Sequence, residues 1–266
     1  MDGIPLVFQC DKEYIGAAAC YEKGSIIFYK PAYNLFKTME KAEANGDSYA
    51  AEKTGYHIDQ LISHELAHAL TFKISFDAMP FLEFSYSRPR DRRLAEGLAE
   101  LIGFYVTQKV NGKPFDNGAI ADAMLEAVKQ RQESINERNR LLATSLGSLE
   151  GNELADAQRN IRWATQCFSY DYAKLGFAQA LKANKGMNMP KFLRRTLRKP
   201  EKLAGISTHI LDLDGATAEL DKIYDSRFMS SKYEAPVALE ELRKELELQS
   251  KLSSLMSKGA AMRLAK

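Results

Sequence analysis

The chain has 266 residues, with 37 basic and 35 acidic side chains and a formal net charge of +2 at pH 7. This balance gives no general argument for binding nucleic acid or an anionic membrane. No apolar run approaches the roughly 20 residues that span a bilayer. Hydrophobic residues make up 45% and charged residues 27% of the chain, which is typical of a globular protein with one sizeable core.

The three cysteines, Cys10, Cys20 and Cys167, are odd in number, and no two of them have the spacing of a metal or redox motif. A disulfide framework is therefore not expected, and a reducing compartment is favoured. The N-terminus lacks the basic region and the apolar core of a signal peptide. Together these features predict a cytoplasmic protein.

Two short segments rich in β-branched and aromatic residues, 4–9 and 25–29, predict strands near the N-terminus. Pro31 ends the strand pattern, and apolar residues recur at helical spacing in most of the remaining chain. Helices are predicted over residues 32–44, 56–73, 92–110, 119–143, 154–184, 190–198, 216–224 and 236–258. We therefore expect an α+β protein that is mainly α, with a small N-terminal β-sheet and a helical C-terminal part.

The chain is expected to divide into a main domain over residues 1–200 and a helical C-terminal extension over residues 201–266. The last predicted helix is amphipathic, because leucines recur along it at steps of three and four residues. These leucines are Leu239, Leu242, Leu246, Leu248, Leu252 and Leu255. Such a helix either packs on its own domain or serves self-association or partner binding.

The segment His64-Glu65-Leu66-Ala67-His68 combines two histidines four residues apart with a carboxylate beside the first. Histidines at this spacing share one helical face, so both imidazoles can bind one metal ion, and zinc is the expected metal. Glu65 can accept a proton from a metal-activated water and pass it to a leaving amine. The opposite face of the helix is apolar: Ile58, Ile62, Leu66 and Ala69.

A third metal ligand is expected on the next predicted helix, in the segment Arg-Arg-Leu-Ala-Glu-Gly-Leu-Ala-Glu. Glu96 follows His68 by 28 positions, and Glu100 lies one turn further along the same face. Glu96 is the best candidate ligand. Glu100 could accept the other ring N–H of a histidine ligand, a contact that fixes the tautomer and the orientation of the ring.

The two motifs together resemble the gluzincin zinc metallopeptidases, which include thermolysin-like enzymes and alanyl aminopeptidases. The resemblance implies that His64, His68 and Glu96 bind zinc, that Glu65 is the general base, and that Glu100 orients a ligand. Residues 1–200 would then be a zincin-like catalytic domain, in which an edge strand, residues 25–29, holds an extended peptide.

The segment Tyr172-Ala-Lys-Leu-Gly176 resembles the family helix whose tyrosine points at the zinc. This resemblance implies that Tyr172 stabilises the oxyanion, with Tyr170 as the competing candidate. The segment with which aminopeptidases hold a free N-terminus has no counterpart, because Gly16-Ala-Ala-Ala19 lacks its Glu. The resemblance therefore supports the catalytic core and not aminopeptidase specificity.

The sequence thus predicts a zinc peptidase that hydrolyses peptide bonds of a protein or peptide. One alternative is a regulatory peptidase specific for one cellular partner, although no helix-turn-helix of the kind such proteins often carry is evident. The other alternative is a catalytically silent scaffold of zincin fold that binds partners through its C-terminal helix. Glu65 argues against the scaffold, because a pure scaffold needs no base there.

Overall fold

The computed structural model describes residues 4–9, 18–22, 24–78, 89–199, 222 and 239–264. Over these residues the protein is mainly helical with a three-stranded sheet, which confirms the expected mainly α, α+β class. The strands are β1 (Leu6–Gln9), β2 (Ala19–Glu22) and β3 (Ser25–Tyr29). The helices are α1 (Lys30–Ala44), α2 (Ser48–Ala78), α3 (Pro89–Val110), α4 (Asn117–Ser145), α5 (Gly151–Ala183), α6 (Met189–Arg198) and α7 (Leu239–Leu264).

The predicted helix over residues 216–224 lies, apart from residue 222, outside the described residues. None of the helices in the described ranges is both long enough and apolar enough to cross a membrane.

The sheet has the order β1-β3-β2, with β1 parallel and β2 antiparallel to β3. The prediction that residues 25–29 form an edge strand is therefore wrong, because β3 pairs on both sides. The missing neighbour is β2, whose residues Ala19-Cys-Tyr-Glu22 include no β-branched residue and so gave no strand pattern. Gly24, at a φ of +82°, lies between β2 and β3, and glycine adopts this conformation without a steric penalty.

Helix α2 begins eight residues earlier than predicted. Asp47 precedes its first residue, and the Asp47 carboxylate accepts a hydrogen bond from the backbone N–H of Ala50. This is the capping interaction of a helix N-terminus. One side of α2 packs on the sheet, where Leu61, Ile62 and Leu66 contact the cluster around Phe28. His64 and His68 are thereby left to face α3.

Helix α3 lies between α2 and α5 and contributes to the main hydrophobic core. Two glycines allow the close contacts. A Cβ at Gly97 would lie 2.3 Å from the ring of Phe177, and a Cβ at Gly103 would lie 3.4 Å from the backbone nitrogen of His64. No larger residue fits at Gly97 without displacing the buried Phe177 ring.

Helix α7 packs against α5 and α4. Its residues Leu242, Leu252 and Met256 are buried, and Leu246 and Leu248 join the same clusters. Of the two alternatives for the C-terminal helix, this packing supports the intramolecular one. Of the expected extension, residues 201–221, 223–238, 265 and 266 lie outside the described residues.

Candidate metal centre

Three side chains from two helices converge on one point. The Nε2 atoms of His64 and His68, one turn apart on α2, are 3.0 Å from each other. Glu96 on α3 places its Oε2 atom 3.4 Å from His64 Nε2 and 3.3 Å from His68 Nε2. Among the described residues, His64, His68 and Glu96 are a group of potential ligands whose donor atoms lie close enough together to bind one metal ion.

The donor atoms fit a tetrahedral metal ion. Ligand bonds of about 2.0–2.1 Å in tetrahedral geometry place the ligand atoms about 3.3–3.4 Å apart. The two distances from Glu96 Oε2 have this length, and the two imidazole nitrogens are closer to each other, at 3.0 Å. Glu96 Oε2 is buried and makes no hydrogen bond of good geometry, although two ring nitrogens face it. A buried carboxylate oxygen without a hydrogen bond is uncommon in proteins, and a shared cation would satisfy it.

The charges of the centre are strongly coupled. Burial alone would lower the pKa of His64, but Glu96, Glu100 and Glu65 raise it to about 9. Burial alone would raise the pKa of Glu96, but His68 and His64 lower it to about 2. The carboxylates around the two histidines therefore favour a positive charge at this point. Histidine ligands must be neutral, so a bound metal ion would supply that charge itself.

Glu65 lies on the side of α2 that reaches β2. Its carboxylate is buried and accepts a hydrogen bond from the backbone N–H of Tyr21. Burial raises the pKa of Glu65, and the neighbouring His64 and His68 oppose this shift. A carboxylate whose pKa lies above its usual range is suited to proton transfer near neutral pH.

Glu100 approaches the opposite nitrogen of His64, as the sequence predicted. Its Oε1 atom is 3.8 Å from His64 Nδ1, which is close but longer than a hydrogen bond. The same oxygen lies 3.0 Å from Nζ of Lys174 on α5. Burial would raise the pKa of Glu100, but Lys174, His64 and Arg131 lower it.

The structure favours Tyr170 over Tyr172 beside the centre. The ring centroid of Tyr170 lies 6.5 Å from that of His64. Tyr172 is buried instead in a cluster with Val128, Leu252 and Met256. Residues two apart on a helix point about 200° from each other, so the two tyrosines cannot face the same site. The predicted role of Tyr172 is therefore not supported by its position.

Lys174 escaped the sequence prediction. It is 1% exposed, is the charged partner of Glu100, and lies in a stretch of α5, Ala173 to Ala180, that is mostly apolar. The signal available in the sequence was a single charged residue in a mostly apolar segment. That signal is ambiguous, because lysines usually reach solvent with their ammonium group.

A cavity of about 1150 Å³ lies away from the metal centre, and none of the three candidate ligands lines it. Its walls come from the segments that join α3 to α4 and α5 to α6, together with Tyr105, Asp122 and Lys182. Comparisons with known protein families, with curated proteins and with solved structures found no match.

Proposed function

We propose that the protein is a zinc-dependent peptidase of the gluzincin type, with His64, His68 and Glu96 as ligands. The observation that carries the proposal is the approach of Glu96 Oε2 to within 3.3–3.4 Å of both histidine Nε2 atoms. Two imidazoles and one carboxylate leave a fourth tetrahedral position open, as catalytic zinc sites require. The proposal includes the zincin-like arrangement of sheet, zinc helix and following helix.

When bound, zinc acts as a Lewis acid that lowers the pKa of a coordinated water toward about 7. Glu65 follows His64 directly, and its buried carboxylate would accept a proton from the attacking water and deliver it to the leaving amine. The hydrogen bond from Tyr21 N–H to the Glu65 carboxylate fixes the orientation of this base. Tyr170 takes the role of oxyanion donor that Tyr172 was expected to have.

The edge of β2 that faces away from β3 is the proposed site for an extended substrate. The backbone N–H of Tyr29 donates to the carbonyl of Ala18, so the alternation of an antiparallel ladder turns the polar groups of Ala19 and Tyr21 away from β3. Among the described strands, β2 pairs only with β3. Because the Tyr21 N–H donates to Glu65, a peptide at this edge would form main-chain hydrogen bonds with Ala19 and would lie beside Glu65.

The scaffold alternative is less well supported. It relied on a C-terminal helix that offers its leucines to a partner, whereas those of α7 contribute to clusters within the chain. A regulatory peptidase that cuts one partner would use the same chemistry and differs only in its substrate.

The test is cleavage of a quenched-fluorescence peptide library by zinc-loaded wild type, by Glu65→Gln and by Glu133→Gln. Glu133 is a matched control because its side chain is largely exposed on α4. We expect cleavage by wild type and by the control, and a loss of about 10²–10⁴-fold in rate for Glu65→Gln with its zinc retained. Equal cleavage by wild type and Glu65→Gln would exclude the proposed mechanism.

A further inference from the structure

A buried lysine stands directly behind the candidate metal centre. Lys174 is 1% exposed, and its Nζ atom lies 3.0 Å from Glu100 Oε1, the same oxygen that approaches His64 Nδ1 at 3.8 Å. Burying an ammonium group is strongly unfavourable unless a carboxylate and further polar groups compensate it. Glu100 is thus shared between the lysine and the back of a candidate metal ligand.

The charges continue beyond Lys174 with alternating sign. Lys174 Nζ lies 3.9 Å from Oδ1 of Asp171, and this oxygen lies 3.2 Å from the guanidinium of Arg131 on α4. The other oxygen of Asp171 accepts a hydrogen bond of 2.9 Å from the Gln132 side chain. The series His64, Glu100, Lys174, Asp171 and Arg131 therefore links α2, α3, α5 and α4.

Stability alone is a weak reason for such a series. Replacing a buried ion pair by apolar residues of similar volume is often neutral or stabilising. A histidine that binds metal through Nε2 must carry its proton on Nδ1, and an acceptor held opposite Nδ1 favours this tautomer and fixes the ring. Glu100 can serve this purpose only if its carboxylate is kept facing His64.

We propose that Lys174 is a positioning residue that holds the Glu100 carboxylate against Nδ1 of His64 and thereby raises the affinity of the centre for zinc. The proposal rests on the zinc site of the proposed function. Asp171 and Arg131 in turn hold Lys174 from the other side, so that its ammonium group lies between two carboxylates.

The test uses the full chain, stripped of metal and titrated with zinc against a chromophoric chelator. The variants are Lys174→Met, Glu100→Gln and the double substitution, with Lys182→Met as control, since Lys182 is a more exposed lysine of α5 paired with Asp122. We expect each single substitution to weaken zinc binding by about 10- to 100-fold. We expect the double substitution to be no worse than the stronger single one, because both act through the same contact.

A spectroscopic readout separates positioning from mere packing. In the zinc-loaded protein with ¹⁵N-labelled histidine, the Nδ1 proton of His64 is expected to exchange with solvent faster in Lys174→Met than in wild type. Thermal melts show which variants are folded. Should Lys174→Met not fold, Lys174→Gln retains an N–H donor without the charge, and it should show a smaller loss of zinc affinity in the same direction.

The inference is overturned if folded Lys174→Met or Lys174→Gln binds zinc within about twofold of wild type, given the 10- to 100-fold loss expected. Additive losses in the double substitution would equally overturn it. Failure of the wild type to bind zinc would instead refute the proposed function itself.

Discussion

Helix α5 borders two buried polar regions of different character. Toward α7, Thr165 Oγ1 donates to Gln249 Oε1 at 2.7 Å, and Arg162 faces Glu245 at 3.4 Å, so donors meet acceptors. At the candidate metal centre, between α2 and α3, two imidazole nitrogens and the Glu96 carboxylate oxygen meet instead. In the first region donors face acceptors, although Gln249 Nε2 is buried without a hydrogen bond. The second region brings together atoms that share an affinity for cations. Convergence of like atoms distinguishes a site from a structural contact.

Removal of zinc should affect one of these regions and leave the other unchanged. At free zinc of about 1,000 times the dissociation constant, binding adds about 4 kcal/mol to the free energy of unfolding. We therefore expect a chelator to lower the melting temperature of zinc-loaded wild type but not that of Glu96→Ala. Identical melting temperatures of wild type with and without chelator would mean that bound zinc does not stabilise the protein.

Tyr170 and Tyr172 offer a comparison on a single helix. Loss of an oxyanion donor costs about 10²–10³-fold in kcat, so Tyr170→Phe should reduce cleavage by about 100-fold with little change in KM. Tyr172→Phe retains the buried ring and should leave kcat near wild type. The reverse order of the two variants would restore the role that the sequence motif gave to Tyr172.

The contact of α3 with α5 should tolerate little added volume. In Gly97→Ala the new methyl group must displace the ring of Phe177, because the two would otherwise lie 2.3 Å apart. Overpacking of this kind costs about 2 kcal/mol, which chemical denaturation can measure. Gly147→Ala is a suitable control, because nothing lies within 4 Å of the added atom. Equal stability of the two variants would mean that the contact between α3 and α5 accommodates the added methyl group without a cost in stability.

The smallest effect is expected at the interface of α5 with α7. Thr165→Val removes the donor to the fully buried Gln249 and should lower the free energy of unfolding by about 1 kcal/mol. Zinc affinity should be unchanged, since the substitution lies outside the metal centre. A loss of zinc affinity in this variant would show that the two polar regions are coupled.

The parts of the site that depend on local spacing were predictable. His64 and His68 share a face because they are four residues apart, and Glu96 and Glu100 repeat that spacing on the next helix. The contact of Glu100 with Lys174 depends on how α3 packs against α5, which no local pattern encodes. For the same reason the sequence motif selected Tyr172 and not Tyr170. Which tyrosine faces the site depends on the elements that pack against each face of α5.

The fold, like the site, was predictable where it depends on local sequence patterns. Helical periodicity located the long helices, but the start of α2 required recognition of Asp47 as its cap. Strand β2 was missed because pairing with β3, and not the character of its own residues, makes it a strand. Because β2 was missed, the central position of β3 in the sheet was missed as well.

The most direct test of the account is the metal content of the purified protein, measured by mass spectrometry. Variants His68→Ala and Glu96→Ala are compared with His57→Ala, an exposed histidine of the same helix, and with wild type. We predict about one zinc ion per chain in wild type and His57→Ala, and a sharp loss in the other two. Full retention of zinc by Glu96→Ala would contradict the three-ligand centre on which the proposed function depends.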